Sequence, residues 1–161
     1  GGVASLPNAA LVMFSGATSF PLIAIPLFIL AGAIMNASGI SRRLIDFASS
    51  LVGFIRGGLS MVTISASLFF AEISGSAVAD VAALGSILIP AMERRGYSKA
   101  FAAAVTSSSA TLAVIIPPSI PMILYGVMSG SSIVELFVAG IIPGVLGGLG
   151  MMVVAYMLAR R

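Results

Sequence analysis

Long apolar runs dominate the pattern of this chain, and short polar stretches interrupt them. The runs "PLIAIPLFILAGAIM" and "IIPGVLGGLGMMVVAYML" show no alternation of apolar and polar positions, so they predict helices rather than strands of a barrel. Residues 20–38 and 140–159 are each long enough to cross the roughly 30 Å hydrocarbon core of a bilayer as a helix. The weakly apolar segments 1–19 and 131–139 are expected to lie at the membrane interface.

Residues 41–56 carry an amphipathic pattern. Apolar residues recur at spacings of three and four, and polar residues take the opposite face at the same spacing. The apolar face comprises Leu44, Phe47, Ala48, Leu51, Val52 and Ile55, and the polar face comprises Arg42, Asp46, Ser49, Gly53 and Arg56. This spacing predicts an arm helix that lies along the membrane interface.

Residues 57–92 contain two apolar arms, 59–71 and 78–92, joined by the polar stretch "EISGSAVAD". Basic residues flank this segment on both sides: Arg42, Arg43 and Arg56 precede it, and Arg94, Arg95 and Lys99 follow it. Because cytoplasmic flanks are rich in arginine and lysine, both ends are expected on the cytoplasmic side. The first arm, at about 13 residues or ~20 Å of helix, is shorter than the membrane core. A re-entrant hairpin over 57–92 is therefore favoured, and two full spans stay the alternative.

Residues 97–129 have the pattern of a transmembrane helix with a break in it. Ser98 is suited to cap the start of this helix. Pro117, Pro118 and Pro121 each remove a backbone donor and restrict the residue before them. The helix must therefore stop within "IIPPSIP" and restart near Pro121, since proline is well tolerated in a first turn. We expect a discontinuous transmembrane helix.

The span 140–159 carries small residues four apart on one face. These residues are Gly140, Gly144 and Gly148. Such a face lets a neighbouring helix approach closely. Arg160 and Arg161 follow the span and predict a cytoplasmic end, and counting the spans back places Gly1 outside. Because the chain begins at Gly1 without methionine, we expect it to be a piece of a longer protein.

Composition supports a membrane protein and excludes several chemistries. Of the 161 residues, 59% are hydrophobic and 8% are charged, and the mean hydropathy is +1.17. Soluble domains carry about 25% charged residues, so this chain cannot cover a globule with polar surface. The absence of cysteine and histidine excludes disulfides, thiolate chemistry, Cys/His metal sites and His-based triads. The net charge of +3 comes from clustered arginines, which mark the cytoplasmic side rather than a nucleic-acid partner.

Two interruptions of the helices carry the candidate chemistry, the hairpin tip at 74–77 and the break at 115–121. Helix breaks free backbone carbonyls, and serine and threonine add hydroxyl oxygens, which together suit Na+. Paired discontinuous helices near the midplane are typical of the binding site of a secondary transporter. The N-termini of the half-helices also favour a carboxylate substrate. Taken singly, the serines indicate close helix packing, the Pro-Pro pair indicates a kink, and "SGS" indicates a turn. Because all three occur together with arms too short to span the membrane, a binding site is favoured.

Three further polar residues have weaker interpretations. Asp80 lies near the start of the second arm and is expected to hold the hairpin tip rather than to bind a ligand directly. Glu72 ends the first arm, where the helix dipole is unfavourable, so it should have a compensating partner or water. Both acids could instead face a water-filled vestibule without a specific role. Asn36 is a possible supporting ligand.

The chain resembles a known transporter family over nearly its whole length. The stretches "FPLIAIPLFILAGAIMNASGIS", "ADVAALGSILIPAM" and "SSATLAVIIPPSIPMILYG" look like the large membrane subunit of tripartite ATP-independent periplasmic (TRAP) transporters, the DctM-like family. The resemblance implies an Na+-driven elevator-type protein of the ion transporter superfamily, located in a bacterial or archaeal inner membrane. It implies an organic-acid substrate, such as a C4-dicarboxylate or a sialic acid, delivered by a periplasmic binding protein. It also implies a smaller four-helix membrane subunit as a partner.

The resemblance further implies which residues form the site. The Na+ ligands would be Ser74, Gly75, Ser76, Ser108, Ser109 and Thr111, and the substrate wall would be Ser76, Ala77, Pro117, Pro118 and Ser119. Of the two inverted repeats of the family, the chain resembles only one, so it should not transport by itself.

Other classes of protein stay open at this point. A symporter of the same superfamily without a binding protein would use the same elements, and a channel-like pore would use the hairpin as a filter. An intramembrane aspartyl protease is disfavoured because no Gly-x-Gly-Asp pattern is present. We expect no enzyme and no cofactor beyond Na+ as the coupling ion.

Overall fold

The computed structural model describes residues 5–18 and 20–158, and this part of the chain contains helices and no strand. The helices are α1 (Ser5–Ala17), α2 (Phe20–Ala37), α3 (Ile40–Val52), α4 (Gly58–Ser74), α5 (Ala77–Arg94), α6 (Lys99–Ala110), α7 (Leu112–Ile115), α8 (Ile120–Ser129) and α9 (Ile133–Leu158). The expectation of an all-helical chain is confirmed for these residues. Predictions that involve residues 1–4, 19 and 159–161, including the cytoplasmic end at Arg160 and Arg161, lie outside the described residues.

Helix α4 occupies the centre of the structure and packs against α2, α3, α5, α6, α7 and α9. Its largest buried side chain is Phe70, which is fully buried in a core cluster with Leu84 and Leu88 of α5. Residues of α2 and α3 complete this cluster, including Met35 and Ala48. The hairpin is therefore the packing core of the chain rather than a peripheral loop.

The hairpin arms are longer than the sequence predicted. Helix α4 has 17 residues, not about 13, and α5 has 18, so only Gly75 and Ser76 connect them. Hydropathy alone suggested that the polar residues before the tip belong to a loop, but α4 continues until Gly75. The left-handed conformation of Gly75 (φ 59°) then ends the helix, with its N–H donating to the Ala71 carbonyl at 3.1 Å. These lengths give arms of about 26 and 27 Å, slightly shorter than the ~30 Å core.

The arm helix is shorter than predicted and buries a different face. Helix α3 ends at Val52 instead of residue 56, because the chain turns after it and reaches glycines with positive φ at Gly57 and Gly58. Its buried residues are Ser41, Ile45 and Ala48. The predicted apolar face is therefore divided: Ala48 is buried, whereas Phe47 and Leu51 are 50% and 47% exposed. Arg42, Asp46, Ser49 and Arg56 are exposed, as their polar pattern predicted.

The predicted discontinuous helix is present over α6, α7 and α8. Ser98 caps α6, because its hydroxyl oxygen accepts a hydrogen bond from the Phe101 N–H at 3.2 Å. Helical structure stops after α7, leaves residues 116–119 non-helical and resumes at Ile120, with Pro121 in the first turn of α8. The Pro117–Pro118 peptide bond is cis.

Helix α9 runs without interruption over 26 residues, so a single helix covers most of the segment 131–139 and the span 140–159 that the sequence treated separately. Residues 133–139 are mostly apolar, and the helix continues through Gly140, where a Cβ atom would meet the Ile115 carbonyl oxygen of the neighbouring broken segment. Within the described residues, the segment 99–129 and α9 are each long and apolar enough to cross a membrane. The bent pair of α1 and α2 would add a third span if it is counted as one.

Candidate functional site

The hairpin tip is held by its own hydroxyl groups. The Ser74 hydroxyl donates to a carboxylate oxygen of Asp80, and it accepts a hydrogen bond from the Ser76 N–H at 3.2 Å. The Ser76 hydroxyl accepts from the Ala79 N–H at 3.4 Å and thereby caps α5. These contacts fix the direction of both helix ends at the tip.

The tip lies directly against the break of the discontinuous helix. The Ile120 N–H, at the start of α8, donates to the Gly75 carbonyl at 3.2 Å. A Cβ atom placed on Gly75 would lie 2.9 Å from the Pro118 carbonyl oxygen, so only glycine fits this approach. The structure therefore brings together the two interruptions that the sequence singled out, although they are more than 40 residues apart in the chain.

The prolines leave backbone carbonyls without their usual helical partners. Because residues 117, 118 and 121 lack an N–H, the carbonyls of Ala113, Val114 and Pro117 have no donor four residues later. The hydroxyl of Ser119, a fully buried residue, donates to the Val114 carbonyl at 2.8 Å and replaces one of these donors. In the part of the chain that the structure describes, no hydrogen bond to the Ala113 or Pro117 carbonyl replaces the missing donors. The break thus supplies backbone oxygens without helical partners.

Asp80 is fully buried, and only one of its carboxylate oxygens has a partner. That oxygen accepts from Ser74, whereas the other has no hydrogen bond with the described residues. The contact with Ser74 agrees with the expected role of Asp80 in holding the tip. A buried carboxylate oxygen without a donor requires a proton or a cation to compensate for its burial.

The remaining predicted Na+ ligands, Ser108, Ser109 and Thr111, lie at the end of α6. Ser109 is fully buried, and its hydroxyl lies 2.8 Å from that of Ser67, which precedes Ser74 by two helical turns, or about 10 Å. Thr111 and Ser108 are exposed, and the Thr111 hydroxyl donates to the Ser108 carbonyl at 2.6 Å. Hard cations hold oxygens at roughly 2.3–2.6 Å, so a single ion cannot contact both the tip and the side chain of Ser109. Ion binding by these three residues stays a prediction.

The predicted substrate wall is placed as follows. Ser76, Ala77, Pro117 and Pro118 are half-buried around the contact between the tip and the break, and Ser119 is buried with its hydroxyl engaged. The half-buried members are accessible to a ligand, whereas the Ser119 hydroxyl maintains the break. Their role in substrate binding stays a prediction.

Asn36 lies away from the tip contacts. Its side-chain oxygen accepts a hydrogen bond from the Ser41 hydroxyl at 2.6 Å and joins the end of α2 to the start of α3. The structure thus gives Asn36 a local structural contact, and its role as a supporting ligand stays a prediction.

Sequence reasoning missed the partner of Ser109. Ser67 belongs to a line of buried hydroxyl residues on one face of α4, formed by Ser60, Thr63, Ser67 and Ser74. The spacing of three, four and seven residues in an apolar helix was the available signal, because it places all four on one helical face. This face packs toward α5 and α6, as the contacts of Thr63 with Met92 and of Ser67 with Ser109 show.

Helix α9 supports the break through its glycines, as their spacing predicted. A Cβ atom on Gly140 would lie 2.4 Å from the Ile115 carbonyl oxygen, and one on Gly144 would lie 2.4 Å from the Ile116 side chain. A Cβ atom on Gly148 would lie 2.9 Å from Leu68 of α4. The small residues of α9 therefore allow the broken segment to pack directly on this helix.

The donor set around the tip consists of oxygens. Among the described residues, no group of three or more His, Cys, Asp or Glu side chains could hold a metal ion. Hydroxyls, free carbonyls and a single buried carboxylate are instead available, and this set fits a small hard cation better than a transition metal.

Comparison with known proteins shows the family. Residues 3–161 match the tripartite ATP-independent periplasmic transporter, DctM component. The chain is 47% identical over 156 residues to the C4-dicarboxylate TRAP transporter large permease protein DctM of Pseudomonas aeruginosa, covering 97% of this chain and 36% of that protein. It is 44% identical over 153 residues to the sialic acid TRAP transporter large permease protein SiaM of Vibrio cholerae, covering 95% and 36%.

A third relative carries a different substrate name. The 2,3-diketo-L-gulonate TRAP transporter large permease protein YiaN of Escherichia coli is 47% identical over 152 residues, covering 94% of this chain and 36% of that protein. The chain thus spans about a third of the length of these curated relatives, which are named permeases rather than enzymes. The resemblance seen in the sequence is confirmed, and the chain belongs to the DctM component family of tripartite ATP-independent periplasmic transporters.

Proposed function

We propose that this chain forms one repeat of an elevator-type permease in the inner membrane that imports an organic acid together with Na+. The contact between the Gly75 carbonyl and the Ile120 N–H carries this proposal, because it joins two helix interruptions at one place. The permease would work with a small four-helix membrane subunit and receive its substrate from a periplasmic binding protein.

The tip and the break supply both oxygen atoms for a cation and N–H groups for an anion. Oxygens suited to Na+ are the free carbonyls of the break, the tip hydroxyls and the unpartnered oxygen of Asp80. The N-termini of α5 and α8 meet at the same place, and they present backbone N–H groups and the positive ends of their dipoles. A carboxylate would bind beside these N-termini, between the half-buried residues Ser76, Ala77, Pro117 and Pro118.

Coupling follows from the proximity of these two sets of groups. An Na+ ion bound to the tip oxygens would fix the tip against the break and so position the N–H groups for the carboxylate. Each Na+ that moves inward down a potential of 100 mV contributes about 2.3 kcal/mol, so a few ions suffice to concentrate an acid strongly. The relatives are named for a C4-dicarboxylate, a sialic acid and 2,3-diketo-L-gulonate, which favours a small organic acid as the substrate class.

Uptake by the full-length complex in proteoliposomes tests this function. With its binding protein present, an inward Na+ gradient should drive saturable accumulation of the acid, and replacing Na+ by K+ should abolish the accumulation. Uptake that is indifferent to the Na+ gradient would reject the coupling. Single-channel currents without saturation would instead identify a pore.

A further inference from the structure

Glu72 is an exposed residue of α4 that lines a pocket beside the break. Glu72 lies two positions before Ser74, which corresponds to a rotation of about 200° around the helix, so Glu72 is not part of the proposed ion site. The pocket has a volume of about 390 Å³ and is open to the surface of the chain. It is lined, besides Glu72, by Leu68, Phe69, Ile116, Pro117, Ile141 and Val145.

The carboxylate of Glu72 has no compensating group in this pocket. The other lining residues are uncharged, and Glu72 makes no hydrogen bond or ion pair with the part of the chain that the structure describes. Glu72 also lies in the last turn of α4, where the negative end of the helix dipole disfavours an anion. Both the apolar walls and the dipole therefore favour a cation beside this carboxylate.

We propose that a lysine or arginine from the remainder of the permease, outside residues 1–161, occupies this pocket and pairs with Glu72. Ionisable groups inside membranes are almost always paired, and the chain spans only 36% of the length of its DctM relative in Pseudomonas aeruginosa, so that relative has further segments available to cover such a pocket. The pocket lies beside Pro117, so the pair would attach the hairpin and the break to those segments. The inference rests on the mid-depth position of the hairpin tip that the proposed function requires.

Photo-crosslinking in the full permease identifies the occupant. A benzoylphenylalanine at position 141, an exposed residue of the pocket wall, is irradiated in the purified complex, and the joined peptides are mapped by mass spectrometry. We expect a permease peptide from outside residues 1–161 that contains a lysine or arginine. Crosslinks to lipid alone, or to peptides without a basic residue, would overturn the proposal.

Charge reversal measures the pairing without any transport assay. Glu72→Lys should lower the Tm of the full permease by about 4 °C or more, because it would oppose two positive charges in a pocket that the partner segment covers. Glu93→Lys, at an exposed position near the end of α5, is the matched control and should shift the Tm by only about 1 °C. If Glu72→Lys prevents folding, Glu72→Gln serves as the milder variant, with a smaller loss of Tm in the same direction.

Exchanging the charges of Glu72 and its crosslinked partner tests directly whether the two residues pair. Combining Glu72→Lys with a glutamate at the crosslinked basic residue should restore at least half of the lost Tm. A double variant no more stable than Glu72→Lys, or a Glu72→Lys variant as stable as Glu93→Lys, would contradict the pairing. These readouts do not involve Na+ or substrate, so they distinguish a failure of this pairing from a failure of the coupled uptake.

Discussion

Replacing Gly75 by alanine should reduce Na+-driven uptake by the full permease by about tenfold or more, whereas Gly39→Ala should retain most of it. Both glycines have left-handed backbone angles, with φ of 59° and 76°. Alanine at either position therefore carries the same conformational cost of about 1–2 kcal/mol. Only at Gly75 does the added Cβ atom also lie 2.9 Å from a neighbouring backbone oxygen, that of Pro118; at Gly39 nothing lies within 4 Å.

The difference between the two variants isolates the contact between the tip and the break. Weakening this contact by about 1.4 kcal/mol of free energy corresponds to a tenfold decrease in the population of the assembled site. Initial rates in proteoliposomes give the uptake, and thermal unfolding confirms that both variants are folded. Equal activity of Gly75→Ala and Gly39→Ala would show that the close approach at the tip is not needed for transport.

Ser109→Leu should abolish uptake while leaving membrane insertion intact. Ser109 is fully buried, and its hydroxyl lies 2.8 Å from that of Ser67 on α4. A leucine there would overpack the interface between α4 and α6, at about 1–3 kcal/mol, and would leave the buried Ser67 hydroxyl without this partner, at a further ~1–3 kcal/mol. Ala104→Leu, at an exposed position of the same helix α6 that belongs to no predicted site, is the matched control and should retain uptake.

A smaller substitution distinguishes packing from ion binding at the same position. Ser109→Ala removes the hydroxyl without adding volume. If this oxygen contributes to Na+ binding, the Na+ concentration for half-maximal uptake should rise. An unchanged Na+ dependence would leave Ser109 a packing residue, and wild-type uptake by Ser109→Leu would reject both roles.

The sequence predicted those parts of the fold that follow from local chemistry. Three prolines forced the break, Ser98 had the character of a helix cap, and the glycines four apart on α9 marked a close packing surface. Each of these effects depends on a missing donor, a nearby hydroxyl or a missing side chain, which can be identified without tertiary information.

Other features depended on tertiary contacts and were missed. The first arm was expected to end at Glu72 and Ser74 to belong to the tip, but α4 continues through Ser74 because Gly75 can end the helix against the break. The partner of Ser109 was not predicted, since pairing across 42 residues requires knowing that α4 faces α6. The contact of Gly75 with Ile120 is of the same kind: the sequence indicated two polar interruptions, and only the packing of the hairpin joins them.

The depth of the hairpin tip in the bilayer tests the central claim most directly. Val78 follows the tip closely and is 81% exposed, so Val78→Cys in a cysteine-free full permease provides an attachment point for a fluorophore. Quenching by lipids that carry quenchers at known depths then locates position 78. We predict a depth within about 10 Å of the bilayer centre, inside the ~30 Å hydrocarbon core. A fluorophore at the level of the outer headgroups would show that the chain crosses the membrane before it turns, and would contradict the account.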